Sequence, residues 1–141
     1  MSDKNMSEPA RQEFLADLHV GVLGVERADG PPLVVPVWYS YEPGGDVTIL
    51  MSSASLKGRL LAAAGRATLC AQQETLPYKY VSVEGPVAIT PLTTDARPEV
   101  ERMAVRYLGD KMGRDYASAE IADDEIKVTL SPQRWFSVDY G

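Results

Sequence analysis

The stretch VTILMSSASLKGRLLAAAGRATLCAQQ, residues 47–73, changes its hydrophobic period twice. Val47 to Met51 reads as a strand. Ser52, Ser53, Ala54 and Ser55 form a small hydroxyl-rich loop. Leu56 to Ala64 reads as a helix, with Leu56, Leu60, Leu61 and Ala64 apolar, and Gly65 is a natural stop. Ala67 to Gln72 returns to strand and holds Cys70. A short helix set between two strands therefore anchors the fold prediction.

Upstream, HVGVLGVER (residues 19–27) is β-like, with Gly21, Leu23 and Val25 on one face and Val20, Val22, Gly24 and Glu26 on the other. A turn at Ala28–Pro31 leads to a second strand, Leu33 to Tyr41, interrupted by Pro36, which predicts an edge or a bulge there. Pro43–Asp46 is a further turn. Ser7, Glu8 and Pro9 open a helix over about 8–18; residues 1–6 are expected to be disordered.

Downstream, Pro77 to Thr90 is the longest β stretch, and Gly85-Pro86 predicts a bulge or a barrel corner. Thr93 or Thr94 is expected to cap a helix over about 95–109, with Val100, Met103, Ala104, Tyr107 and Leu108 at helical spacing. Residues 110–122 read as a weaker helix or loop. Ile126–Leu130 and Arg134–Asp139 form a last strand or broken pair. Six or seven strands with short helices predict one α+β domain over 1–141, an antiparallel barrel.

Composition removes several functions. The chain has 141 residues, with 14 Lys+Arg against 20 Asp+Glu, a formal charge of −6. Such a domain is poorly suited to neutralising nucleic-acid phosphates. One cysteine, Cys70, and one histidine, His19, supply neither an internal disulfide nor a structural zinc site, and no G-x-S-x-G nucleophile motif is present. No apolar run approaches the ~18 residues of a membrane span, and Met1–Ala10 has no apolar signal core. A cytoplasmic location is expected, away from membranes. With so few catalytic side chains, any chemistry is expected to sit on a cofactor.

Three places carry binding chemistry, each with a structural alternative. Ser52, Ser53 and Ser55 precede a helix whose start bears Lys57 and Arg59; free N–H groups, the dipole and the ammonium suit a phosphate. Ser55 could equally be a plain cap, with both cations solvated. Lys57 and Arg59 are about 200° apart around a regular helix, so both cannot aim at one phosphate. Pro36, Val37 and Trp38 interrupt a strand beside an indole that could wall a planar ring or fill the core. Pro77, Tyr78, Lys79 and Tyr80 suit an anionic rim, although alternation puts the tyrosines on one face and Lys79 on the other. Arg97, Arg102 and Arg106 among Glu99 and Glu101 read as a salt-bridged surface, and Cys70 as a buried small apolar residue.

The ordered series VGVLGV (20–25), Asp29-Gly30-Pro31, VVPVW (34–38), SLKGRLL (55–61), RATLC (66–70) and YKYVSVEG (78–85) resembles the pyridoxamine-phosphate-oxidase-like split-barrel superfamily. The nearest likeness is to its flavin/deazaflavin oxidoreductase B branch, whose members use the deazaflavin F420 or FMN. It spans about residues 12–90, and a looser likeness follows in the last strand. The resemblance implies a homodimer of six-stranded split barrels with two cofactor sites at the interface. It places the phosphate at Ser52, Ser53, Ser55, Lys57 and Arg59, and the ring against Pro36, Val37 and Trp38. It brings Pro77, Tyr78 and Lys79 over from the other subunit.

Departures from the family pattern favour F420. Leu56 stands where many relatives carry a base, Leu60 where many carry Asn, and Ala64-Gly65 where many carry Asp-Pro. A missing base weakens the grip on a doubly charged FMN phosphate, whereas F420 has a phosphodiester and a polyglutamate tail for which Arg59, Arg66 and Lys79 are available. The expected function is F420-dependent reduction of a small conjugated or aromatic acceptor, with Tyr39, Tyr78 or water giving the proton. The alternatives are an FMN oxidoreductase and a non-enzymatic barrel that stores the cofactor or handles a tetrapyrrole.

Overall fold

Alternating apolar residues and short turns wind the sheet into a barrel. The structure, a computed structural model, describes residues 4–141. Helix α1 (Glu8–Ala16) leads into strands β1 (Gly21–Val25), β2 (Leu33–Val37) and β3 (Val47–Ser52). Helix α2 (Leu56–Ala64) separates β3 from β4 (Arg66–Gln73), and β5 (Lys79–Pro91) follows. A 3-10 turn (Thr94–Ala96) opens helices α3 (Arg97–Leu108) and α4 (Asp110–Ala117), before β6 (Glu125–Leu130) and β7 (Arg134–Asp139). Hence 110–122 is partly a true helix, and the last β stretch is a broken pair.

The strand order is β2-β1-β4-β5-β6-β3, with β7 also on β5, all antiparallel. Ser40 and Thr48 exchange backbone hydrogen bonds of 3.0 and 2.9 Å, closing the path between β2 and β3. The fold is the expected α+β split barrel with six strands in the ring and β7 beside them. Pro36 lies on an edge strand and keeps its register opposite Val22.

Strand β5 changes neighbours at the predicted corner. Glu84 pairs with Arg134 on β7, whereas Val87 pairs with Leu130 on β6. Between them the Ser131 N–H donates to Pro86 O (3.0 Å) and the Gln133 N–H to Glu84 O (2.9 Å). A Cβ on Gly85 would collide with the Ser131 carbonyl, so only glycine admits this crossing.

Helix ends obey local chemistry in two of the three predicted places. The Ser7 Oγ accepts from the Ala10 N–H (3.2 Å), and Gly65 ends α2 at φ 70°. The third differs. Neither Thr93 nor Thr94 caps α3 through its side chain; the 3-10 turn leads in, with Pro98 in the first turn. Proline there loses no intrahelical bond, so no hydroxyl cap is needed.

Inward-facing residues of the strands form one core with Phe14 and Leu15 of α1 and Leu61 of α2. Leu15 and Leu61 are fully buried, which is worth about 1.5–3 kcal/mol each. The N-terminal expectation needs correcting. Residues 1–3 lie outside the described residues, but 4–6 are ordered along β7. The Asp139 N–H donates to Lys4 O (2.8 Å), the Met6 N–H donates to Ser137 Oγ (3.0 Å), and Met6 packs on the core.

Candidate functional site

Pro36, Val37 and Trp38, at the end of β2, line one cleft with Lys57 of α2. Its volume is about 730 Å³, and its far wall comes from the chain between β5 and β6. Val37 turns inward, Pro36 is exposed at the strand edge and Trp38 is half-buried. The indole is covered on one side by Tyr107 of α3, at 5.0 Å between centroids and 6° between planes. Tyr116 of α4 approaches it at 5.9 Å and 55°. Trp38 is therefore a cleft wall packed from outside the barrel rather than part of the barrel interior.

The serine loop is wired largely to itself. The Ser55 Oγ accepts from the Gly58 N–H (3.1 Å) and donates to Ser52 O (2.6 Å), which is ordinary capping. The Ser52 Oγ donates to the Asp124 carboxylate (2.6 Å) and accepts from the Ala54 N–H (3.1 Å). The Ser53 N–H donates to Asp124 O (2.7 Å), while the Ser53 side chain is exposed. Leu56 and Lys57 begin α2, so their N–H groups have no acceptor within the helix. Lys57 is half-buried and faces the cleft; Arg59 is exposed and does not line it. The two cations diverge as helical geometry requires.

Pro77, Tyr78 and Lys79 lie elsewhere. Tyr78 and Lys79 line a separate hollow with Tyr140, and Lys79 pairs with Asp139 at 3.8 Å. Pro77 is exposed beside them, its carbonyl accepting from Gln73 Nε2 (2.7 Å). Within one chain this segment does not join the Trp38 cleft. A third hollow, about 780 Å³, is lined by Glu26, Arg66, Glu84 and Arg134. Its charges are already paired, Arg66 with Glu26 and Arg134 with Glu84 (3.6 Å). The hydrogen bond and then the charge of Arg66 hold the Glu26 carboxyl below the usual carboxylate range. Arg66 is thus paired with Glu26 at an exposed position, outside the Trp38 cleft.

Three further expectations are corrected. Tyr39 is fully buried and its hydroxyl donates to Leu15 O (2.7 Å). Burial first, and then Tyr107, push its phenol above the ordinary range against an opposing pull from Arg106. It has no proton to offer the cleft. Cys70 is half-buried on the outer face of the sheet, opposite Val22 and Ser82, because Leu69 and Ala71 take the inward positions. Burial still pushes its thiol upward.

The arginines of α3 are not a simple ion-paired surface either. Arg97 donates to the carbonyls of Ala117 and Ala119, and Arg106 to those of Ala16 (3.3 Å) and Asp17 (2.6 Å). Glu99 and Glu101 pair instead with Lys127 (2.9 Å) and Arg114 (3.4 Å). Finally, the His19 ring is engaged, with Nε2 2.9 Å from Phe14 O and the ring stacked on Phe14.

Sequence reasoning missed the contribution of α3 and α4. Tyr107 is a buckle: its hydroxyl accepts from the Tyr39 N–H (3.1 Å) and donates to His19 O (2.6 Å), with Tyr39 O at 3.0 Å. Met112 and Tyr116, exposed and one turn apart, were the available signal for α4. Among the described residues no His/Cys/Asp/Glu group could hold a metal, and no helix is long and apolar enough to cross a membrane.

The chain has the split-barrel fold of pyridoxamine-phosphate-oxidase-like proteins, as solved structures confirm. A conserved hypothetical protein of Mycobacterium tuberculosis superposes with a TM-score of 0.80 at 22% identity, covering 99% of this chain and 89% of its own. An F420 reductase gives 0.69 at 19%, covering 89% and 94%. A FAD-binding protein of Mesorhizobium loti gives 0.68 at 18%, covering 95% and 93%. No family model and no curated protein matches the sequence.

Proposed function

We propose that this chain is an F420-dependent oxidoreductase that works as a homodimer. The observation that carries the reading is the single cleft joining Pro36, Val37 and Trp38 to Lys57 at the start of α2. A flat ring would rest against β2 and Trp38, and an anionic group would meet the first N–H groups of α2 and the Lys57 ammonium. Ser53 is the serine whose hydroxyl is left to join them; Ser52 and Ser55 shape the loop. Arg59 serves a part of the ligand outside the cleft.

The charge at this point supports F420 over FMN. Among the described residues one ammonium faces the cleft, while the Asp124 carboxylate sits on Ser52 and Glu125 also lines the cleft. That set suits a phosphodiester with one negative charge better than a dianionic phosphate. When bound, F420 supplies or accepts a hydride. The residues of this chain position the ring, hold the anion and exclude water from one face. With Tyr39 sealed, the proton comes from solvent or from a hydroxyl at the cleft mouth.

The second subunit is part of the reading. The outer face of β2, β1, β4, β5 and β7 carries Pro36, Val22, Cys70, Ser82 and Phe136 in one cross-strand row. Val34 and Phe136 are 63% and 48% exposed on it. A second copy would cover this apolar face and could carry its own Pro77, Tyr78 and Lys79 towards the neighbouring cleft.

A paired titration with F420 and FMN tests the proposal. The expected result is saturable F420 binding in the micromolar range, with FMN weaker. Tighter FMN binding would move the chain to the flavin alternative, towards which the fold shared with the FAD-binding protein points. Binding of neither would overturn the reading and leave α2 as a capped helix.

A further inference from the structure

The wall of the Trp38 cleft opposite the barrel has no part in holding the cofactor as proposed. Leu92, Val100, Met103, Ala104 and Ile121 make it apolar. Tyr116 stands on the same wall, 60% exposed, and its hydroxyl has no hydrogen-bond partner among the described residues. Its ring is tilted 55° to Trp38, so it is not part of the Trp38–Tyr107 stack. Cavities of this size with an apolar wall and a few polar groups suit small conjugated molecules.

Charge then selects among them. Asp115, Glu120 and Glu125 line the cleft, and none is ion-paired among the described residues. Among the described residues Lys57 is the only cation that lines it. In the proposed function this ammonium is occupied by the cofactor anion. A second anion would meet three carboxylates without compensation. A neutral molecule avoids that cost, and a cation gains both the carboxylates and the electron-rich aromatic faces.

We propose that the wall built by the chain between β5 and β6 is the acceptor subsite, and that it takes a flat conjugated molecule bearing no negative charge, resting on Tyr116 across the cleft from Trp38. The word acceptor rests on the oxidoreductase reading above. The binding preference belongs to the wall once the Lys57 ammonium is out of play, and a Lys57→Ala protein shows it without cofactor.

Three matched anthraquinones test it: the neutral 2-hydroxymethyl compound, its trimethylammonium counterpart and the 2-sulfonate. Binding is followed at low salt by quenching of tryptophan fluorescence in cofactor-free Lys57→Ala protein, where no ammonium can compensate the sulfonate, and repeated in the parent with F420 bound. The expected order puts the cation at or above the neutral compound, and the sulfonate about 10-fold weaker. Asp115→Asn with Glu120→Gln should reduce that discrimination to about 3-fold or less. Tyr116→Ala should weaken the neutral compound about 5-fold or more, while Tyr116→Phe retains it.

Equal or tighter binding of the sulfonate would overturn the proposal, as would a Tyr116→Ala variant that binds normally. Discrimination in a protein that binds neither F420 nor FMN would sink the cofactor reading and keep the subsite. Cofactor binding without discrimination would do the reverse.

Discussion

The Trp38 indole lies flat on the Tyr107 ring, and the hydroxyl of that same tyrosine is bonded to the backbone of Tyr39, the next residue, and of His19, ahead of β1. One residue of α3 thus fixes both the cleft wall and the backbone that carries it. His19 O, Tyr39 N and Tyr39 O all lie within 2.6–3.1 Å of that oxygen. Tyr107→Phe keeps the stack and removes these bonds, leaving partly buried polar groups unmet. The expected loss is about 1–3 kcal/mol in denaturant unfolding. An unchanged midpoint would show that the hydroxyl is dispensable.

Ser55 and Lys57, two residues apart, should separate cleanly by experiment. Ser55 caps α2, so Ser55→Ala should cost about 1 kcal/mol of stability. Lys57 makes no ion pair among the described residues, so Lys57→Ala should leave stability nearly unchanged. Its effect belongs on F420 affinity, which should fall by about 1.5–3 kcal/mol if a charged hydrogen bond is lost. Equal affinities for the two proteins would remove Lys57 from the site.

These two residues also show what the sequence could reveal. Capping, helix length and the Gly65 stop are local chemistry and were legible. So was the Gly85-Pro86 corner, because glycine and proline punctuate any strand. The Asp124 carboxylate on Ser52 was not, since 72 residues separate them and only the β3–β6 register unites them. Tyr39 was misplaced although Val37, Tyr39 and Tyr41 share one parity; Pro36 disguised an alternation that continues beyond the strand. Tyr107 and Tyr116 reach the cleft through the docking of a helical pair, which periodicity does not specify.

The buried Tyr39 phenol predicts a loss of stability in alkali. Its folded-state pKa is raised, so its contribution is intact below the unfolded phenol value of about 10 and is lost as pH rises through the folded value. Unfolding free energy should decline above pH ~10, by up to about 1.4 kcal/mol per pH unit from this group. Cys70, raised by burial, acts in the same sense from about pH 8.5. Comparing Tyr39→Phe and Cys70→Ala with the parent over pH 8–11 assigns the slopes; parallel curves would refute both.

Phe136 is the probe for the proposed dimer face. It is exposed at one end of the cross-strand row and contributes little to a monomer's core. If the proposed dimer forms through this face, Phe136→Asp should leave the fold intact, abolish the dimer in sedimentation and weaken F420 binding. Should the parent already sediment as a monomer at 50-fold the Kd for F420, the second-subunit part of the function would fail.

The crossing at Gly85 has a further consequence, for cooperativity. Its 13 residues make β5 the shared member of three pairings, with β4, β6 and β7. Neither half of the barrel can assemble without it, so the ring forms as a single event and partial unfolding has to begin outside it. Hydrogen exchange would therefore divide the molecule sharply. Amides at Val81 and Val83 should open only with global unfolding, whereas α4, which packs mainly on α3, can breathe while the barrel stays closed. A cleft with one rigid wall and one breathing wall can admit a ligand without spending the stability of the fold.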